Sequence, residues 1–303
     1  SEWIRRHQGE RVWQKVWGPL FNQKFAEDAD KVAMVWLWGK LCLRGKSRSA
    51  SGMGEQLGYM RGSFVKFIEA LEGRLEAGGT ELHLSEAVER IESNADRLTV
   101  HTRSSSWSVD RVLAATPVPD YLEIAGHLLP DAERDNLSAL RATGAICTLL
   151  ELEHSLTPFY WLNIADSDMP FGGLVEHTNY IPRERYGGPH ILYISNYLFP
   201  DHPLFRKPKK EVIASYLPAL ARINPSFDPS WITRSHHFRA EYAQPVVPVG
   251  YRARIPSFRS SVPGLFLCTM AQIFPEDRGQ NYAVAYGEKA ANAILEDIGR
   301  AAS

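Results

Sequence analysis

The sequence predicts an α/β protein built from two parts, and three patterns carry that expectation. Near the carboxyl end Gly264 opens a short apolar strand over 265–269, a loop follows, and a helix runs from about 281 to 298. Earlier, an amphipathic helix starting near Ser63 stops at Gly78-Gly79 and feeds a series of short strands. Between these blocks, residues 119–261 mix helices with segments that read as antiparallel strands.

In chain order, the first sixty residues read as helical and carry Trp3, Trp13, Trp17, Trp36 and Trp38. Their charges are interspersed, which points to a core helical layer rather than a surface helix lying on a membrane. Residues 44–58 are polar and Gly/Ser-rich and read as a loop. Ser63 then caps a helix whose Phe64, Phe67, Ile68, Leu71 and Leu75 fall at helical spacing. Strands are expected over 80–84 and 87–91. A turn at Asn94, Ala95 and Asp96 precedes a strand marked by Leu98 and Val100. A hairpin partner over 106–109 leads into a strand over 111–115, stopped by Thr116-Pro117.

In the middle, 146–152 and 190–197 read as strands, and 210–221 as a helix ahead of the Asn224-Pro225 turn. Pro245, Pro248 and Pro256 punctuate an irregular stretch. The last helix carries Ala283, Gly287, Ala290, Ile294 and Ile298 on one stripe, small enough for close approach to a sheet.

The 303 residues are 44% hydrophobic and 23% charged, which is ordinary for a soluble globular chain, and the net charge of -1 provides no basic field for nucleic acid. Cys42, Cys147 and Cys268 stand far apart in apolar stretches. They read as buried, inert thiols in a reducing cytoplasm, with no metal spacing. The apolar run 32–43 is broken by Gly39 and Lys40 and is too short to span a bilayer, and no signal peptide is visible. His236-His237 have side chains on opposite sides of a strand, so no metal site is expected there. No Ser/His/Asp arrangement is assignable, and no residue stands out in the sequence as catalytic. Tyr160, Trp161, Tyr242 and Tyr251 are read as core aromatics, with pocket lining as the alternative.

The segment Pro263-Gly-Leu-Phe-Leu-Cys-Thr-Met, the loop through Gly279 and the helix beginning Asn281-Tyr-Ala-Val resemble the carboxyl-terminal flavin-binding signature of one superfamily. It comprises FAD-dependent flavin amine oxidases, protoporphyrinogen oxidases and phytoene desaturases. The resemblance implies that the helix amides of Gln280, Asn281, Tyr282 and Ala283, after Gly279, face the N1/O2 edge of an isoalloxazine ring. It also puts Glu276 or Asp277 near the ribityl or pyrophosphate part. Here Thr269, Met270 and Ala271 follow the strand, where many members carry Gly and then an acidic residue.

The run Tyr59-Met-Arg-Gly-Ser-Phe, its helix, Gly78-Gly79 and the strands after it look like the second FAD-contacting block, in which Val88 would offer backbone to adenine. The strand Val112-Leu-Ala-Ala-Thr-Pro looks like the return strand ending beside the cofactor. Tyr242-Ala-Gln-Pro-Val-Val-Pro is similar to a substrate-domain segment of protoporphyrinogen oxidase relatives.

The superfamily's first strand and G-x-G-x-x-G turn have no counterpart: Gly52-Met-Gly-Glu-Gln-Leu-Gly has one residue too many, and Gly45-Lys-Ser lacks the spacing of a P-loop. The chain also begins with Ser1. The expectation is therefore an incomplete Rossmann-like FAD/NAD(P)-binding domain, residues 58–118 and 262–303. A substrate domain, 1–57 and 119–261, is expected to be α+β with a mixed or antiparallel sheet. The implied activity is hydride transfer from a C–N or C–C bond of a small-molecule substrate to FAD, with a missing N-terminal segment or partner chain completing the site. The alternative is a non-catalytic remnant or interaction module that no longer binds FAD.

Overall fold

The computed structural model describes residues 1–46, 57–94 and 97–301. Residues 44–46 of the expected 44–58 loop instead continue the helix Met34–Lys46, whereas most of that loop, the glycine run from Gly52 to Gln56, Ser47 of the P-loop-like triplet, and the turn residues Ala95 and Asp96 lie outside the described residues. In chain order the elements are α1 (Glu2–Gln8), α2 (Glu10–Val12), α3 (Gly18–Phe25), α4 (Met34–Lys46), α5 (Val65–Ala77), β1 (Val88–Asn94), β2 (Arg97–Thr102), β3 (Ser106–Val109) and β4 (Val112–Ala114). There follow α6 (Val118–Ala125), α7 (Asp131–Ser138), β5 (Ala142–Leu152), β6 (Trp161–Asn163), β7 (Gly173–Glu176), β8 (His190–Leu198), α8 (Lys209–Ile223), β9 (Ile232–Pro245), β10 (Leu265–Leu267) and α9 (Gln280–Ala301). The chain divides into two compact units, Ser1–Met34 with Ser138–Ile255, and Val35–Leu137 with Pro256–Ser303.

The first unit is organised by an antiparallel five-stranded sheet in the order β6-β7-β8-β5-β9. The alternation along β5 and β8 sends Ile146, Leu150, Leu152, Leu192 and Ile194 to one face. There they pack on Val212, Tyr216, Ala219 and Leu220 of α8. The opposite face carries the row Asn163, Gly173, Ser195, Cys147 and Phe238. α3 closes one end of the sheet, where the Thr143 hydroxyl donates to the Lys24 carbonyl over 3.0 Å. The buried Asp28 is held by Arg141 and Lys31, each at 2.6 Å.

In the N-terminal helices the tryptophans divide. Trp13 and Trp36 are buried, whereas Trp3 and Trp38 are 47% and 57% exposed, so only part of the expected core layer is internal.

The second unit holds a three-stranded antiparallel sheet, β1-β2-β3, and a two-stranded parallel sheet of β4 and β10. β1 packs on α6, with Ile91, Leu98, Val118 and Tyr121 buried. The expected strand over 80–84 does not form. Its alternating Leu82 and Leu84 are 37% and 77% exposed, and no described strand offers it a ladder, without which a strand does not persist. α5 begins at Val65, with the Ser63 hydroxyl accepting from the Val65 amide over 3.3 Å, and ends at Gly78 as expected. Among the described residues no helix is long and apolar enough to cross a membrane, and no metal-binding group of three His, Cys, Asp or Glu residues occurs.

Candidate functional site

β4 and β10 run side by side, with Leu265 opposite Val112 and Leu267 opposite Ala114. They end together, the Cys268 amide donating to the Ala114 carbonyl over 2.9 Å. Carboxyl ends of parallel strands are where open α/β sheets place ligands. Gly264 permits this approach: its φ is +78°, and a Cβ there would lie 2.8 Å from the Asp110 carbonyl oxygen. Beyond the strand, the buried Gln272 fixes the chain. Its Oε1 accepts from the Thr269 amide over 2.8 Å, and its Nε2 donates to the carbonyls of Leu267 at 3.0 Å and Ser257 at 3.2 Å. At the end of β4 the Thr116 hydroxyl is buried and has no hydrogen-bond partner among the described residues.

The loop before α9 is braced from α4. Lys40 makes an ion pair with the buried Asp277, and the Arg278 guanidinium lies 3.7 Å from the same carboxylate oxygen. Beside Lys40, Gly39 lets the two backbones come close, since a Cβ there would stand 3.3 Å from the Pro275 carbonyl oxygen. The two residues that interrupt the apolar run of α4 in the sequence are thus the ones that hold the loop.

α9 starts on the Gly279 carbonyl, which accepts from the amides of Tyr282 and Ala283, each over 3.0 Å. Helix geometry leaves the Gln280 and Asn281 amides without intrahelical acceptors. No acidic side chain stands in the first turn, so the partial positive charge of the helix start is not offset from within. Burial, followed by the nearby Glu276 charge, raises the Tyr282 hydroxyl above its ordinary pKa.

Of the residues singled out in the sequence, Glu276, Asp277, Gly279, Gln280, Asn281, Tyr282 and Ala283 lie on this one loop and helix start. Asp277 is buried, Glu276 and Tyr282 are half-buried, and Gln280, Asn281 and Ala283 are exposed. Val88 stands apart, at the start of β1 in the three-stranded sheet, and is 37% exposed. Sequence reasoning did not single out Lys40 as a brace, Gln272 or the Thr116 hydroxyl. The only sequence signal for the first was a lysine breaking an apolar stretch.

The first unit contains a cavity of about 680 Å³ whose lining includes Trp13, Asn22, Phe171, Asn196, Tyr197 and His202. That size lies in the range of small-molecule sites. Tyr160, Trp161, Tyr242 and Tyr251 do not line it. Tyr251 is buried and its hydroxyl is pushed up to about 12 by desolvation, whereas Trp161 is 54% exposed.

Comparison with known proteins bears on this arrangement. A profile of the family described as flavin containing amine oxidoreductase matches residues 2–295. None of the curated proteins matches the sequence. Among solved structures, one from Exiguobacterium sp. assigned as a protoporphyrinogen oxidase superposes with a TM-score of 0.75 at 18% identity, covering 97% of this chain and 66% of its own. An oxidoreductase from Methanosarcina mazei gives 0.65 at 17% identity, covering 88% and 61%. A UDP-galactopyranose mutase gives 0.62 at 15% identity, covering 84% and 57%. This chain therefore spans less than two-thirds of the length of these neighbours, and at such identities the likeness is one of fold. The mixed helix-and-sheet fold is that of FAD-dependent oxidoreductases, and the chain belongs to the flavin-containing amine oxidoreductase family.

Proposed function

We propose that residues 1–303 form the carboxyl-terminal portion of an FAD-dependent oxidoreductase that removes a hydride from a C–N or C–C bond of a small molecule. The observation that carries this reading is that β4 and β10 end together and that the chain after β10 leads through a braced loop into an α9 start whose first amides have no intrahelical acceptors. When bound, FAD supplies the hydride-accepting centre, so the protein need not furnish a nucleophile.

The residues present fit part of such a cofactor. The Gln280 and Asn281 amides favour a negatively polarised ring edge, and the orphaned Thr116 hydroxyl has hydrogen-bonding capacity to spare. The Glu276 and Asp277 carboxylates suit the hydroxyl donors of a ribityl chain. Val88 would offer its backbone to adenine. On this reading the second unit is the flavin-binding half, the first unit is the substrate half, and the setting is cytoplasmic, in keeping with three unpaired thiols.

A pyrophosphate is held in such folds by a glycine-rich turn at a helix start, and no G-x-G-x-x-G stands in this sequence. We therefore take residues 1–303 to bind FAD weakly by themselves and to need a further segment. The second reading, an interaction module that no longer holds FAD, draws support from the uncovered apolar face of α5.

The test is the visible absorbance of residues 1–303, and of the longest in-frame form of the gene, after excess FAD and desalting. Flavin bands in the longer form and little in the shorter are expected. A colourless result for both would overturn the oxidoreductase reading, and stoichiometric flavin in residues 1–303 would overturn the need for a further segment.

A further inference from the structure

The cavity of the first unit lies at the end of the five-stranded sheet that α3 closes, between α3 and the β6–β7 connection. None of Asn163, Gly173, Ser195, Cys147 and Phe238 on the open face of the sheet lines it. Protein interiors are close-packed, and a space of about 680 Å³ is far larger than a packing gap.

Both walls are held by contacts of their own. On the connection, Arg222 of α8 pairs with Asp166 at 3.3 Å and with Asp168 at 2.9 Å. The Asn196 carboxamide donates to the Pro170 carbonyl over 2.8 Å, and the Gly172 amide to the Ser195 carbonyl over 3.0 Å. On the helical side, Trp13–Trp17 form a single π-helical turn, with the Gly18 amide donating to the Trp13 carbonyl. A Cβ on Gly18 would lie 2.8 Å from that oxygen, so the turn needs a glycine there. Such turns occur mostly singly and frequently at functional sites. Just past α3, Ala26 has a φ of +48°, a region that residues with a Cβ enter only at a cost. Trp13, Gly18 and Ala26 all line the cavity, so two departures from regular backbone border one space.

The lining is aromatic and amide-rich and contains neither lysine nor arginine. Trp13 and Phe171 are buried and Tyr197 is half-buried, which supplies flat apolar surface. The side chains of Asn22 and Gln23 hydrogen-bond no other described residue, and a carboxamide offers donors and an acceptor together. Asp166 is already paired with Arg222, which leaves a cationic ligand no unpaired carboxylate. Lys24 lies over the Tyr197 ring and is outside the lining, so an anion entering the cavity would lose water without meeting a cation.

We propose that this cavity binds an uncharged ring compound bearing hydroxyl or amide groups. Its ring packs on the aromatic side chains and its polar groups pair with the Asn22 and Gln23 carboxamides. The first unit alone makes the site, and the proposal goes beyond the flavin reading without using it.

Saturation-transfer NMR on the longest in-frame form of the gene, with no FAD added, tests it with matched probes. Phenyl glucoside is compared with phenyl glucuronide, and nicotinamide with nicotinate; each pair differs in a carboxylate. At least one neutral probe is expected to receive saturation at millimolar concentration, and its anionic partner about tenfold less. No transfer to either neutral probe would overturn the site, and equal transfer to both members of a pair would overturn the ligand class.

Ala165→Trp and Ser167→Trp put a bulky ring at exposed lining positions, where the core need not repack. Loss of the transfer in at least one of them, with an unchanged thermal melt, is expected. Asn22→Ala, at an exposed position of α3, should weaken the transfer without filling the space. Undiminished transfer in all three would put the probe elsewhere and overturn the assignment. Because no flavin is present, failure here and failure of FAD binding are separate results.

Discussion

Lys40 of α4 and the buried Asp277 form an ion pair that ties an early helix to the loop leading into α9. The contact fixes where the last helix starts, and with it the direction of the Gln280 and Asn281 amides. Removing the lysine takes a cation from a buried carboxylate and leaves the Arg278 guanidinium 3.7 Å away. Lys40→Met is expected to lower stability by about 2 kcal/mol, read from the urea midpoint. Adding Asp277→Asn to that variant should recover most of the loss. An unchanged midpoint for Lys40→Met would show that the pair does not hold the loop.

Two glycines should respond to alanine in opposite directions. At Gly264 the positive φ and the 2.8 Å approach to the Asp110 carbonyl both resist a side chain. Gly264→Ala is expected to destabilise by about 2 kcal/mol or more. Gly287 sits inside α9, where an added Cβ meets nothing within 4 Å. Gly287→Ala should stabilise by about 0.5–1 kcal/mol. Thermal melts of the two variants check both signs.

The pH dependence follows from burial in the first unit. Desolvation holds His177, His190 and His237 below the ordinary histidine value of 6.5. Below about pH 6.5 the unfolded chain therefore binds more protons than the folded one, and stability is lost as the pH falls through that window. Glu176 acts in the other direction. Desolvation raises it above 4.5, so its contribution is fully present below that value and is lost as the pH rises through the raised one. The melting temperature should fall between about pH 7.5 and pH 5.5. Glu176→Gln, which can keep accepting from the Thr157 amide, should raise it near neutrality, with the gain closing towards pH 4.5.

The cysteines should separate in alkylation. Cys42 is exposed, whereas Cys147 and Cys268 are half-buried and burial raises both of their thiol pKa values. Iodoacetamide near neutral pH is expected to label Cys42 first, with the other two reacting only on unfolding. Equal labelling of all three in the folded protein would contradict this arrangement.

Where a segment's partners lie within the chain, the sequence was informative. The alternation in 146–152 and 190–197 appears as β5 and β8, because α8 covers the face that the pattern marks. The strand over 106–109 and the end of α5 at Gly78-Gly79 were also legible, since turn chemistry is local. Residues 80–84 show the converse: their alternation is as clear, but a strand is a pairing, and the described residues offer no partner. At the candidate site, the loop and helix start over 276–283 were legible as a contiguous motif. The roles of Lys40, Gln272 and Thr116 were not, because each depends on what folding brings beside it. Cys42, expected to be buried from its apolar surroundings, lies on the exposed side of α4.

The central claim is that the start of α9 and the end of β4 contact the flavin. Its most direct test is hydrogen exchange of the FAD-loaded longest form against the same protein without FAD. The account predicts that FAD slows exchange at the amides of 280–283 and at 113–117. FAD bound with no change at either segment would contradict it.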